Sequence, residues 1–107
     1  MYKVTVYIPE SHLERVKQAM FDAGAGRISP YDHCCWQTKG TGQYRPLEGS
    51  QPYAGKQNQV SSEEEYLVEL VCDDELIKLV LMAMLEAHPY ETPAYAVYPI
   101  MTFNDFK

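Results

Sequence analysis

An α+β fold, with one four-stranded antiparallel sheet and two helices on one of its faces, is what this sequence predicts, and three observations point to it. Residues 2–8 alternate apolar and polar at period two. Two segments, 13–23 and 77–85, repeat apolar residues at helical spacing. Strand-like segments flank both stripes, so the order is strand, helix, strand, strand, helix, strand. That βαββαβ order is the ferredoxin-like arrangement, in which both helices cover the same side of the sheet.

Each element has a local reason. Tyr2, Val4, Val6 and Ile8 share one face of the first strand, and Lys3, Thr5 and Tyr7 share the other. Pro9 ends it. Ser11, three residues before Glu14, has capping-box spacing and marks a helix start. Leu13, Val16, Met20 and Ala23 form that helix's buried stripe, Gly24 stands where a C-terminal glycine belongs, and Gly26 loosens the exit. Ile28 to Thr38 is the second strand candidate, interrupted early by Pro30. Gly40-Thr41-Gly42 reads as a tight turn, from which Gln43 to Pro46 returns as a hairpin. Leu47 to Val60, with two glycines, a proline and many amides, is expected to be a long functional or flexible loop.

Ser61 to Glu65 is an acidic lead-in to the apolar strand Tyr66 to Cys72, and Glu63-Glu64-Glu65 reads as a solvated face. Asp73, Asp74 and Glu75 put negative charge where the second helix dipole begins. That helix carries its stripe at Ile77, Val80, Leu81, Met84 and Leu85. Pro89 stops it and biases His88 away from helical dihedrals. Pro93 stands where the last strand, Ala94 to Ile100, begins. Sterics at the two prolines therefore set the shape of the corner between helix and strand.

Length and charge narrow the function. At 107 residues the chain is read as a single domain, 1–107. A formal charge of -6 argues against a nucleic-acid partner, which calls for a basic face. No run of about 18 apolar residues exists, so no membrane span is expected. Met1 leads straight into a strand with no signal-peptide core. Three cysteines, two of them adjacent, do not make a disulfide framework and point to a reducing, cytoplasmic setting. Nine tyrosines fit a buried contact between subunits.

Three residue groups carry chemistry. His33 and Cys35 are soft ligands for copper or zinc; on a strand they share a face, yet two ligands fall short of a four-ligand zinc site unless symmetry adds more. The bland alternative is a strand residue beside a small buried thiol. His88 and Glu91 can act as an acid–base or ligand pair, or His88 can bind the last helix carbonyls while Glu91 pairs across a subunit boundary. Gly40, Gly42 and Arg45 can cradle an anion, or form a turn with Arg45 in a salt bridge. The phosphate-loop spacing is missing, so no nucleotide hydrolase is read here. Cys72, at a strand end, reads as core, and no nucleophile stands beside a base.

Two longer motifs bear a resemblance. Gly40-Thr41-Gly42-Gln43-Tyr44-Arg45-Pro46-Leu47-Glu48-Gly49, followed by Pro52 and Gly55, resembles the glycine-rich signature of YqfO-type proteins. His88-Pro89-Tyr90-Glu91 with Pro93-Ala94-Tyr95 resembles the second signature of that family, and Gly24-Ala25-Gly26 with Tyr31 fits its segment after the first helix. The match runs from about Val4 to Ile100. In that family the module is the PII-like, CutA-like insert of the Nif-three-like dinuclear-metal proteins, and it also occurs alone. The resemblance implies a CutA/PII-like fold and a homotrimer. It does not extend to the flanking halves that hold the two metals, so their hydrolase activity is not expected. The glycine-rich loop, the many tyrosines and the absence of a catalytic set are read as a non-enzymatic binding or regulatory module of the PII or CutA kind, with its ligand in clefts between subunits. The alternative is a copper- or zinc-binding tolerance protein, with a divalent or copper ion held by His33, Cys35, His88 or Glu91 at a subunit boundary.

Overall fold

The structure, a computed structural model, describes all residues 1–107. Strand β1 (Tyr2–Pro9) leads through a single 3-10 turn into helix α1 (Leu13–Asp22). Strands β2 (Trp36–Tyr44) and β3 (Ser61–Cys72) follow, then helix α2 (Ile77–Ala87) and strand β4 (Tyr95–Pro99). The sheet order is β2-β3-β1-β4 with every neighbour antiparallel. β3 thus separates the two strands joined through α1, which is the split β-α-β arrangement expected of this element order.

The helix-facing side of the sheet is the core. Val4, Val6 and Ile8 of β1 and Val68 of β3 are fully buried beneath Val16 and Met20 of α1 and Val80 and Met84 of α2. Full burial of each such side chain is worth roughly 1.5–3 kcal/mol. The opposite face carries no helix. Tyr7, Trp36 and Tyr98 stand on it partly exposed, Trp36 at 68%.

Several local expectations need correction. The second strand begins at Trp36, not near Ile28, and only an isolated bridge joins Ile28 to Tyr31. Ser29 and His33 have positive φ, which breaks the pleat between them. Gly40-Thr41-Gly42 makes no turn: β2 runs straight through it, pairing Gly40 with Glu65 and Gly42 with Glu63. Neither glycine has positive φ. Ser61 to Glu65 is the first half of β3, and two of its three acids, Glu63 and Glu64, are partnered. Lys39 Nζ lies 3.4 Å from Glu64, and the Tyr44 hydroxyl reaches Glu63 at 3.4 Å. Cross-strand pairs of this kind stabilise a ribbon. The capping box at Ser11 is also absent, because its hydroxyl turns to His12 Nδ1 and to Tyr53.

Gly24 does end α1, at φ +106. Gly26 does not loosen the exit. Its N–H donates to Val71 O at 2.8 Å, and its carbonyl accepts from Cys34 N–H at 2.8 Å. At φ +78, an added Cβ would lie 2.8 Å from the Cys34 carbonyl oxygen and 2.8 Å from the Phe21 ring.

The ribbon outreaches the body. β1 pairs with β3 only as far as Pro9 opposite Glu65, while β2 and β3 continue to Tyr44 opposite Ser61. The molecule is accordingly elongated, 52 × 25 × 23 Å.

The proline corner docks on β1 through His88, 6% exposed. Its Nε2 lies 2.7 Å from Tyr7 O, and its Nδ1 lies 3.1 Å from Tyr90 N. A carbonyl only accepts and an amide N–H only donates, so Nε2 carries the proton and the ring is neutral. Burial pushes the imidazole below its ordinary value of 6.5, outweighing the bond to Tyr7.

Two outcomes follow. Gly26→Ala should lose about 2 kcal/mol or more of unfolding free energy in urea, because strain at positive φ adds to a collision with backbone. Below pH 6.5 the unfolded chain takes up a proton at residue 88 that the folded chain refuses. Stability is therefore intact above that value and declines as pH falls through the depressed folded one. His88→Gln, which does not titrate, should flatten that acid limb in a pH series of urea melts; an unchanged slope sinks the assignment.

Candidate functional site

One cavity, about 620 Å³, opens on the side of the sheet away from the helices. Its floor is the extended glycine segment of β2 with Tyr7 and Leu67. One wall is the proline corner, through Tyr90, Glu91 and Thr92. The other wall is the loop after β2, through Ser50, Pro52, Tyr53 and Ala54, and Arg45 stands at its start. The size is in the usual range for a small-molecule site.

The long loop is held in place by named bonds. Tyr44 Oη donates to Ala54 O at 2.8 Å, and Asn58 N–H donates to Pro46 O at 2.6 Å. Gln51 N–H donates to the Glu91 carboxylate at 2.9 Å, which fastens the loop to the corner across the cavity. Tyr53 packs on Tyr90 with ring centroids 5.9 Å apart, and its hydroxyl reaches Ser11 at 3.2 Å.

The glycines serve this geometry differently. A Cβ at Gly42 would run into the Glu65 carboxylate, which lies across it. A Cβ at Gly40 would meet nothing within 4 Å, so the open space above it is cavity. The two amides are two residues apart on extended chain, about 7 Å, and do not converge on one oxyanion as a turn would make them do.

Electrostatics at the inner end are set by tyrosines and carboxylates. The Tyr90 hydroxyl is sealed from solvent and bonds to no partner. Burial first, then the adjacent Glu65 carboxylate, push its phenol far above the ordinary value of 10. Tyr44 is pushed up too, by burial and then by Glu63. Both phenols therefore stay neutral at physiological pH.

Of the residues singled out from sequence, Gly40, Gly42, Arg45 and Glu91 all line this cavity. His33, Cys35 and His88 are not gathered, and no group of three or more potential metal ligands exists. His88 has both ring nitrogens engaged by backbone. His33 packs against Phe21 at 4.8 Å and lies 3.1 Å from Asp32. Cys35 packs against the core beside Cys34 and Trp36, and Cys72 is buried. A metal at His33 or Cys35 would need ligands from another molecule. Sequence reasoning missed Glu65, Tyr44, Tyr53 and Tyr90 as lining residues. For Tyr44 and Tyr90 the available signal was their place inside the two quoted motifs, and Glu65 carried none.

No family model matches the chain. It is 40% identical over 100 residues to a GTP cyclohydrolase 1 type 2 homolog of Halalkalibacterium halodurans, covering 94% of this chain and 27% of that protein. It is 38% identical over 98 residues to the protein of the same name from Bacillus subtilis, covering 92% of this chain and 26% of that protein. The chain thus spans about a quarter of the length of the curated relatives it matches. Among solved structures it is similar to a Bacillus cereus protein related to NIF3, with a TM-score of 0.81 and 40% identity over 94% of this chain and 26% of that one. The PII-like protein CutA of Nostoc sp. PCC 7120 gives a TM-score of 0.66 at 20% identity, covering 98% of this chain and 84% of that one. CutA1 of Pyrococcus horikoshii gives 0.69 at 18%, covering 98% and 88%. No helix is long and apolar enough to cross a membrane. The fold is CutA/PII-like, and the sequence is similar to one segment of larger, NIF3-related proteins.

Proposed function

We propose that this chain is a ligand-binding module of the PII and CutA kind, not an enzyme, and that it works as a homotrimer. One observation carries the binding reading: a single cavity gathers the glycine-rich segment and the proline corner, which lie about 50 residues apart in sequence, with Gly40, Gly42, Arg45 and Glu91 on its surface. The loop that walls it is pinned by Glu91 and Tyr44, so the pocket is formed before a ligand arrives, which lowers the entropic cost of binding. Nothing in the lining pairs a nucleophile with a base, and the relatives' own activity belongs to chains about four times as long.

The trimer reading rests on surface left uncovered. A two-stranded ribbon alone is marginal in water, and the ends of β2 and β3 extend beyond β1. The helix-free face exposes Trp36, Tyr7 and Tyr98, and the tail exposes Met101, Phe103 and Phe106, Phe103 at 90%. Large apolar side chains left exposed on a helix-free sheet face suit cover by a second copy of the chain.

A thermal-shift screen of nucleotides, amino acids, amines and small acids tests the cavity. Gly40→Val should fold with little change in melting temperature, since its side chain meets open space, and should abolish any ligand-induced rise seen in wild type. Retention of that rise would place the ligand elsewhere. Light scattering should give three times 12.3 kDa for wild type and a smaller mass for Trp36→Glu. A wild-type monomer at micromolar concentration removes the assembly reading.

A further inference from the structure

Resting on the cavity reading above, we propose that its ligand is a compact organic cation, an alkylammonium or guanidinium group, held by Glu65 against tyrosine rings. The chain's ion pairs engage Asp74, Glu69, Glu14, Asp32 and Glu64, and none uses Glu65 or Glu91. Glu91 is spent on the loop amide. Glu65 is the lining carboxylate that nothing basic neutralises, and Gly42 leaves the room in which it lies flat on the floor.

The walls agree with that charge. Tyr7, Tyr44, Tyr53 and Tyr90 all line the cavity, and aromatic faces attract cations, most strongly where water is excluded. The phenols of Tyr44 and Tyr90 remain neutral, so they add no anion beside Glu65. An anion would find less. Gly40 and Gly42 present no converging amides, Lys39 is tied to Glu64, and the remaining cation, Arg45, is exposed. Arg45 then sits where it repels a second cation or accepts a carboxylate on the ligand's far end, which favours a zwitterion or a short amine over a polyamine.

The test is a protein-observed NMR titration of the full chain with benzylammonium chloride and, at matched concentration, sodium phenylacetate, which has similar shape and opposite charge. Benzylammonium should move the amide resonances of Gly40, Gly42, Tyr53 and Tyr90 and saturate, more weakly as salt rises, while phenylacetate should not. Glu65→Gln should weaken benzylammonium about tenfold, the scale of one charge-assisted contact. Gly42→Ala should do the same while keeping the amide spectrum of a folded protein, because its methyl displaces the carboxylate's flexible end rather than backbone. Phenylacetate binding that is lost in Arg45→Ala overturns the cation and leaves the cavity standing. Benzylammonium binding indifferent to Glu65→Gln overturns the role of Glu65. Failure of both probes overturns the cation, and only a blank thermal-shift screen as well removes the cavity.

Discussion

A neutral imidazole, clamped between the carbonyl of one strand and the amide of a corner, holds this molecule's working end together. His88 Nε2–H donates to Tyr7 O, and Nδ1 accepts from Tyr90 N–H. Pro89 and Pro93 make the corner stiff, but stiffness alone does not say where it points. The imidazole does, by tying it to the C-terminal end of β1. From there Tyr7 N–H donates to Ala94 O at 3.1 Å, which starts the pairing of β4. A charged ring could not accept from Tyr90, so one proton decides whether the corner is seated. Burial keeps that proton away.

The site depends on this clamp because its other half comes from a distant part of the chain. Tyr90 and Glu91 reach the cavity only if the corner is seated, and Glu91 then fastens the loop over β2. Glycines in β2 do the complementary work. Along an edge strand they cost some backbone entropy, and here the gain is space. One glycine accommodates a carboxylate, the other leaves the floor open. The result is a concave surface with an unneutralised acid at its base and aromatic rings around it. Chemistry of that kind selects by charge more than by shape.

The same division appears at the level of the whole molecule. The body of two helices on β1, β3 and β4 is an ordinary apolar core. The ribbon beyond Pro9 has no such core beneath it, yet it carries the glycines that floor the cavity. Binding and assembly are thereby coupled in this reading, since surface that covers the ribbon also steadies the cavity floor.

Period-two alternation in Tyr2–Ile8, the stripes at Leu13, Val16, Met20, Val80 and Met84, and the helix-ending Gly24 and Pro89 were legible in the sequence, because each reflects short-range sterics or burial of one face. So were Gly40, Gly42, Arg45 and Glu91 as residues worth watching. What local reasoning got wrong was long-range. Gly40-Thr41-Gly42 looks like a turn until Glu63 to Glu65 are placed opposite it, and a triple glutamate looks solvated until Lys39 and Tyr44 face it. Gly26 looks like slack until Val71 and Cys34 bond to it. The neutral state of His88, the orphan hydroxyl of Tyr90 and the lone carboxylate of Glu65 are likewise consequences of partners many residues away. Sequence alone determined the first strand, the two helices and the proline corner, where short-range sterics and one-sided burial suffice. Only tertiary structure decided which polar groups would meet and which would be left without a partner, because hydrogen bonds and burial depend on neighbours in space rather than along the chain.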